Sequence, residues 1–237
     1  ISAALIARTF AVHALGPTHR LKSSMVDSLR GVTGDLVTGI RTLNSHRVAA
    51  RALLLVAFNR ISFGVITAGS LLLLRNTFHQ SVNANAALAD FAILSGFAAT
   101  AALIAAILTP WMSRKIGIPH WSAVAVAQAS IGMAVFAFAS TTQNFPLLLV
   151  AGFSLGFAGQ AVKVYSDTVI QRKIPDESLG RVFSLFDMSV NVALVSGIIL
   201  VALLAPISGI APVLYAGIGV TLALASLWYW RTARKIV

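Results

Sequence analysis

The chain contains six apolar segments, each long enough to cross a lipid bilayer as a helix. A hydrocarbon core about 30 Å thick requires roughly 20 helical residues, because each residue adds about 1.5 Å. The six segments are Ala52–Leu74, Ala86–Leu108, Trp121–Ser140, Phe145–Ile170, Val182–Ala205 and Ala211–Trp230. A content of 57% hydrophobic and 11% charged residues agrees with this pattern. We therefore predict an all-α, polytopic membrane protein with six transmembrane helices.

The basic residues are concentrated in every second connection between these segments. Of the 18 Lys and Arg, fifteen lie before the first segment or after the second, fourth and sixth, and only Arg75 lies in the other connections. Loops rich in Lys and Arg remain on the cytoplasmic side of a membrane. The asymmetry therefore predicts six crossings, with both ends of the chain in the cytoplasm.

The net charge of +11 has an expected counterpart in the membrane itself. Anionic cytoplasmic lipids attract each juxtamembrane Lys or Arg by about 1 kcal/mol, so membrane lipids are expected partners. Nucleic acid is not an expected partner, because no basic face is interleaved with aromatic side chains. The chain has no Cys, and its five His are scattered without ligand spacing. No metal and no other cofactor is therefore expected.

The segment before the first span has its own pattern. Ile1–Ile6 is apolar but too short to span, and we expect it to be the end of an earlier membrane helix. An apolar stripe at helical spacing follows, formed by Met25, Leu29, Val32, Leu36, Ile40 and Leu43. This amphipathic helix is expected either in the cytoplasmic interface or packed as a linker on the inner face. Residues 1–47 are thus predicted to be a helix end and central linker, and residues 48–237 a six-helix bundle of a longer protein.

Polar side chains inside the spans mark candidate functional residues. A charged group in hydrocarbon costs at least about 2.5 kcal/mol, so it persists mainly where it faces a cavity or a partner. Such groups occur in the first, second, fourth and fifth spans, whereas the third has only Gln128 and the sixth has no ionisable side chain. The distribution predicts four helices around an aqueous pathway and two helices facing lipid.

Five of these polar residues are predicted to line a substrate cavity. Counting about 1.5 Å per residue, Arg60 and Lys163 lie about 12–14 Å from the cytoplasmic ends of their spans. Cations at this depth suit an anionic group of a substrate, or a carboxylate on another half of the protein. For Lys163 the structural alternative is an ion pair with Asp167, one turn away. The predicted cavity residues are Asn59, Arg60, Gln160, Lys163 and Asn191.

A second group is predicted to act in gating or proton coupling. Asp167 and Asp187 lie within about two turns of the cytoplasmic interface, close to basic loop residues. Such carboxylates suit a salt-bridge latch that closes the cytoplasmic side. Asp90 lies near the outer end of its span, where the alternative is a simple interfacial residue. The predicted set is Asp90, Asp167, Arg181, Asp187, Arg114 and Lys115.

Two segments resemble a known family. GDLVTGIRTLNSHR (residues 34–47) is similar to the central cytoplasmic region before the seventh helix of major facilitator superfamily exporters. IPDESLGRVFSLFD (residues 174–187) is similar to their loop between helices ten and eleven, in the branch of the enterobactin exporter and actinobacterial multidrug efflux pumps. Here we expect Pro175 to end one helix, Gly180 to permit close approach and Arg181 to open the next helix near Asp187.

The resemblance implies an architecture and an activity. The chain would supply helices seven to twelve, as two three-helix inverted repeats joined to an amino-terminal six-helix half that it lacks. It would belong to a secondary active transporter in a bacterial plasma membrane, performing proton-coupled efflux of a small organic compound, drug or siderophore by alternating access. The loop after the second span, TPWMSRKIG (residues 109–117), keeps the basic pair and the final Gly of the family signature but lacks its acidic residue.

Other function classes remain open on the sequence. A non-transporting membrane scaffold or subunit is one alternative, although it would have little reason to keep Arg60, Lys163 and Asp167 at depth. A homodimeric half-transporter is another. An enzyme is not expected, and no catalytic residue is predicted, because no nucleophile, base and orienting group occur together.

Overall fold

The computed structural model describes residues 41, 45, 47–79 and 83–233. Most of the predicted helix end and amphipathic linker lies outside these described residues. The helices are α1 (Arg47–Leu73), α2 (Ala84–Ile116), α3 (Ile118–Thr142), α4 (Phe145–Lys173), α5 (Asp176–Leu204) and α6 (Pro212–Ala233). A π-helical turn, Leu74–Phe78, continues α1.

The prediction of six membrane-spanning helices is confirmed. Each predicted apolar segment corresponds to one of the six helices, and all six are long and apolar enough to cross a membrane. No strand occurs in the described ranges. Each helix extends beyond its apolar segment at one end or both, and α2 continues through Pro110 to Ile116. The stretch expected as a loop after the second span is therefore helical up to Gly117, which has a φ of 85°.

The helix ends follow local sequence signals. The side chains of Asn83 and Asn144 each accept a hydrogen bond from a backbone N–H in the first turn of the helix that follows. Asn is a favoured residue at this position because its oxygen satisfies a donor that the helix leaves free. Pro119 and Pro146 lie in the first turns of α3 and α4. Their missing N–H groups cost nothing there.

The packing of the first three helices corresponds to that of the last three, with α1, α2 and α3 equivalent to α4, α5 and α6. The closest pairs are α1 with α5, α2 with α4, and α3 with α6. Under this equivalence the α1–α5 pair corresponds to the α4–α2 pair. The α3–α4 pair corresponds to the α6–α1 pair, and the helices of both of these pairs are also in contact. Two three-helix repeats produce this relation. In addition, α1 and α4 contact each other, and α1 contacts each of the other five helices.

Glycines allow the close approach within two of these pairs. A Cβ added at Gly64 of α1 would overlap the carbonyl oxygen of Leu194 on α5. One added at Gly156 of α4 would overlap the carbonyl oxygen of Ala98 on α2. The absence of a side chain at these two glycines therefore lets the helix backbones touch. The approach expected at Gly180 is not found, because a Cβ there meets no described atom within 4 Å.

The two ends of the bundle differ in charge and in cross-links. The end that carries Arg114 and Arg172 is called the basic end, and the other is called the opposite end. At the opposite end, the π-helical turn holds the connection between α5 and α6. Asn76 Nδ2 donates to the carbonyl oxygen of Ile207 at 2.5 Å, and the Thr77 hydroxyl donates to the next carbonyl oxygen at 2.6 Å. These bonds fix α1 to the α5–α6 turn.

Candidate functional site

A cavity of about 270 Å³ lies between α1, α2 and α4. Its polar residues gather toward the basic end, on α1 and α4. Its apolar wall comes from α1 and α2. The lining includes the polar residues Asn59, Arg60 and Gln160, the apolar residues Phe63, Ile66, Phe91 and Leu94, and the hydroxyl residues Thr67, Ser70 and Ser95.

The cavity exists because one wall carries little side-chain volume. Gly152, Gly156 and Gly159 succeed one another at helical spacing on α4 and line the cavity. A Cβ at Gly159 would stand 3.5 Å from the Asn59 amide nitrogen. The glycines that bring α4 against α2 thus also leave room beside α1.

Arg60 is the cation of this cavity. It lies near the middle of α1, about 20 Å from Arg47 along the helix axis at about 1.5 Å per residue. Its side chain is half-buried. Neither ion pair formed within the described part of the chain involves Arg60. A guanidinium at this depth needs a counter-charge, because hydrocarbon does not solvate it.

Two amide side chains lie at the same end of the cavity. Asn59 is 1% exposed, and its Oδ1 has no hydrogen-bond partner in the described ranges. Buried polar atoms are nearly always paired, so this oxygen is an exception that needs a donor. Gln160 faces the cavity from α4. Together with Arg60, these residues make one polar end with unused hydrogen-bonding capacity.

The hydroxyl groups of the lining do not extend this polar end. Thr67 Oγ1 donates to the Phe63 carbonyl oxygen at 2.7 Å, and Ser95 Oγ donates to that of Phe91 at 2.8 Å. Ser70 donates in the same way to the carbonyl oxygen of Thr67. Hydroxyls bonded to their own helix present little polarity outward. The rest of the cavity is therefore largely apolar.

Lys163, also predicted for the cavity, is placed outside its lining. Lys163 Nζ lies 2.8 Å from Asp167 Oδ2, one turn further along α4 toward the basic end. The side chains are 45% and 30% exposed. The local ion pair considered as the alternative from sequence is thus present. Lys163 and Arg60 differ in this respect, since only Lys163 has a carboxylate at hand.

The residues predicted from α5 are likewise outside the cavity. Asn191 is exposed, and its amide nitrogen donates to the backbone oxygen of Asp187 at 2.8 Å. The Asp187 carboxylate is exposed and forms no ion pair with any described residue. Of the four helices predicted around the pathway, α5 contributes no residue to this cavity. It packs instead on α1.

The basic residues predicted for gating lie at the helix termini of the basic end. Arg114 and Lys115 are exposed in the last turn of α2, and Lys115 Nζ stands 3.7 Å from the centre of the Trp111 ring. Arg181 is exposed in the second turn of α5. It does not open the helix as expected, because α5 begins at Asp176.

Asp90 has a partner that the sequence did not indicate. Its Oδ2 lies 2.8 Å from Nε2 of His79, at the opposite end of the bundle. The two residues stand on either side of the α1–α2 connection, so no helical period links them. A short connection between two spans brings such residues together, and this was the available signal. Within the described ranges, no group of three or more His, Cys, Asp or Glu side chains is arranged to hold a metal ion.

These features together define a class of protein. Six spanning helices, a cavity between them and a cation at mid-helix are the features of a polytopic membrane protein built for transport. The family model described as Major Facilitator Superfamily matches residues 10–237. The chain therefore belongs to the Major Facilitator Superfamily, a family of membrane transporters that are typically not enzymes.

Two curated relatives are similar to most of the chain. Both are uncharacterised MFS-type transporters, one from Mycobacterium bovis and one from Mycobacterium tuberculosis. Each is 28% identical over 205 residues, which cover 86% of this chain and 45% of the relative. The chain thus spans about half the length of the relatives it matches. No solved structure matches it significantly.

Proposed function

We propose that this chain forms the carboxy-terminal half of a secondary active transporter that exports a small organic compound, drug or siderophore by proton-coupled alternating access. The observation that carries the proposal is the cavity between α1, α2 and α4, with Arg60 at its polar end and without a described counter-charge. A cation held at this depth is characteristic of a transport pathway rather than of a scaffold.

The exposed faces of α2 and α5 support a second six-helix unit. In the most apolar stretch of each of these helices only 17% of residues are buried, against 50% in α1. Ile107 on α2 and Leu203 on α5 are each 76% exposed. A unit packed on these faces would cover them and close the cavity, and the length of the relatives leaves room for it in one chain. Lipids would contact α3 and α6.

The proposed orientation places the basic end in the cytoplasm of a bacterium, in its plasma membrane. The asymmetry of Lys and Arg supports it. At this end, Asp187 would pair with Arg114 or Arg181 when the cytoplasmic side is closed, with Lys115 nearby. During the transport cycle, Asp167 and Asp90 would take up and release protons, or would break their contacts with Lys163 and His79. Asn191 and Lys163 would face the pathway once the second unit is in place.

Transport by reconstituted protein tests the proposal. The natural-length protein is placed in vesicles, and movement of a panel of labelled anionic, neutral and cationic compounds is followed with an imposed pH gradient. We expect one class to move and a protonophore to stop it. Arg60→Leu should abolish transport while the protein remains folded and inserted, because removing a lone cation from hydrocarbon does not hinder insertion. Arg231→Leu, which removes an exposed cation at the end of α6, is the matched control and should transport normally.

The opposite results are equally clear. Full transport by Arg60→Leu would remove the cavity from the mechanism, and no movement of any compound under any gradient would favour the scaffold.

In the same vesicles, Asp187→Asn should slow transport without weakening substrate binding, because it removes the acidic side of the latch. An unchanged rate would remove the latch.

A further inference from the structure

We infer that the cavity selects amphipathic organic anions, that is, compounds with a carboxylate or similar oxyanion at one end of an apolar body. The inference rests on the proposed function for the idea that the cavity holds a substrate, and it adds the chemical class of that substrate. It is carried by the position of Arg60 and Gln160 at one end of an otherwise largely apolar cavity.

The charges around the cavity favour an anion. Its lining contains one cation, Arg60, and no acidic residue. The described carboxylates closest to it along α4 and α2 are already engaged, Asp167 by Lys163 and Asp90 by His79. A bound cation would therefore face an uncompensated guanidinium and find no carboxylate of its own. Such an arrangement repels a cation and attracts an anion.

The hydrogen-bonding groups of the cavity fit an oxyanion headgroup. A guanidinium presents a planar fork of N–H donors that matches a carboxylate, and charge-assisted bonds of this kind are the stronger ones. Gln160 adds amide groups from α4, opposite α1. Asn59 Oδ1 is an acceptor and does not pair with a carboxylate. The donors for a headgroup are therefore Arg60 and the Gln160 amide N–H groups, which line the same end of the cavity.

The remainder of the cavity fits an apolar body. Phe63 and Ile66 on α1, with Phe91 and Leu94 on α2, form its wall. The hydroxyls between them are bonded to their own helices. A volume of about 270 Å³ accommodates a ring with a short chain. The polar and apolar parts are separated along the helix axes, so the ligand must carry its charge at one end.

A carboxylate on the second unit is the competing counter-charge for Arg60. If it neutralised Arg60 permanently, a carboxylate ligand would gain no advantage over a neutral one of the same shape. Ligand charge at constant shape therefore separates the two cases. Binding can be measured without transport, which keeps this test independent of the proposed function.

The experiment uses the natural-length protein in lipid nanodiscs and three labelled probes of matched shape: 4-phenylbutanoate, 4-phenylbutanamide and 4-phenylbutylammonium. We expect the carboxylate to bind at least about tenfold more tightly than the amide, as one charge-assisted bond allows, and the ammonium to bind most weakly. Arg60→Gln should remove the advantage and leave the amide affinity within about twofold. Arg60→Lys should retain part of the affinity advantage of the carboxylate over the amide. The control, Arg231→Gln, should retain all of this advantage.

Each outcome has one meaning. Equal binding of carboxylate and amide by the unmodified protein overturns the inference, and so does an advantage that survives Arg60→Gln. A carboxylate preference without transport of any compound contradicts the proposed function alone. Proton-coupled transport without the preference contradicts this inference alone.

Discussion

At the scale of single residues, the two intramembrane cations have different environments. Arg60 lies in the cavity without a described counter-charge, whereas Lys163 lies 2.8 Å from Asp167 on its own helix. A partner four residues away satisfies a charge locally and needs nothing from a substrate. Replacing Lys163 alone, however, leaves the Asp167 carboxylate unpaired at about 9 Å from the end of α4, counted at about 1.5 Å per residue.

The two residues of this pair should therefore be coupled in stability. We expect Lys163→Leu to lower the free energy of unfolding by about 1 kcal/mol, and Lys163→Leu with Asp167→Leu to cost less than the sum of the two single changes. The measurement is a double-mutant cycle by detergent-induced unfolding. Strictly additive changes would mean that the pair contributes nothing. Transport should suffer less from Lys163→Leu than from Arg60→Leu.

The polar end of the cavity was predictable from residues in sequence, and its apolar wall was not. Asn59, Arg60 and Gln160 stand out because a polar group in a span has few other reasons to be there. Phe63 and Phe91 give no such signal, since an apolar side chain in a span looks the same whether it faces lipid or a cavity. Lys163 and Asn191 lie outside the lining of this cavity, and their place on a pathway stays a prediction, because the depth of a residue in sequence does not show which way its helix face points.

At the scale of the helices, glycine decides how closely pairs approach. Gly64 of α1 lies against α5, and Gly197 of α5 lies against α1. Gly152 and Gly156 of α4 lie against α2. At Gly64, Gly156 and Gly197 the nearest atom to an added Cβ is a backbone oxygen, which cannot move without moving its helix. Without a hydrophobic force between helices in lipid, such backbone contact is a main source of association.

An alanine at one of these positions should therefore separate a helix pair. We expect Gly156→Ala to lower the free energy of unfolding by about 1–3 kcal/mol, as overpacking does. Gly217→Ala is the control, because a Cβ at Gly217 of α6 meets nothing within 4 Å among described atoms. Midpoints of thermal unfolding in detergent give the comparison. If the two variants were equally stable, the backbone contact would not hold α2 to α4.

Helix number and position were predictable because the bilayer sets a minimum apolar length. The helix ends were less so. Thr109 to Ile116 continue α2 through Pro110, because membrane-spanning helices tolerate proline, and α2 ends only before Gly117, which has a φ of 85°. The π-helical turn of Leu74–Phe78 also had no sequence signal, because it depends on bonds from Asn76 and Thr77 to a distant turn.

At the scale of the whole molecule, burial is unequal among the helices. In their most apolar stretches α1, α3 and α4 are at least half buried, whereas α2 and α5 leave apolar faces uncovered. In a soluble protein such faces would indicate a large missing interface. In a membrane, lipid or a second helical unit can cover them. The proposed second unit would cover the faces of α2 and α5.

The proposed orientation of the whole bundle rests on the distribution of charge alone and can be tested directly. The chain contains no Cys, so an introduced thiol is distinct within it. Gln143 lies in the exposed turn between α3 and α4, and Ser208 lies in the α5–α6 connection, both at the opposite end. Ser178 lies in the first turn of α5, at the basic end.

We expect Gln143→Cys and Ser208→Cys to react with a membrane-impermeant maleimide added to intact cells, and Ser178→Cys to react only after the membrane is opened. The reason is that fifteen basic residues hold their loops in the cytoplasm, against one on the other side. A permeant maleimide should label all three variants and shows that each thiol is reactive. Labelling of Ser178→Cys from outside, with Gln143→Cys protected, would invert the bundle. It would then place Arg114 and Asp187 at the outer surface and turn the proposed cytoplasmic latch into an external one.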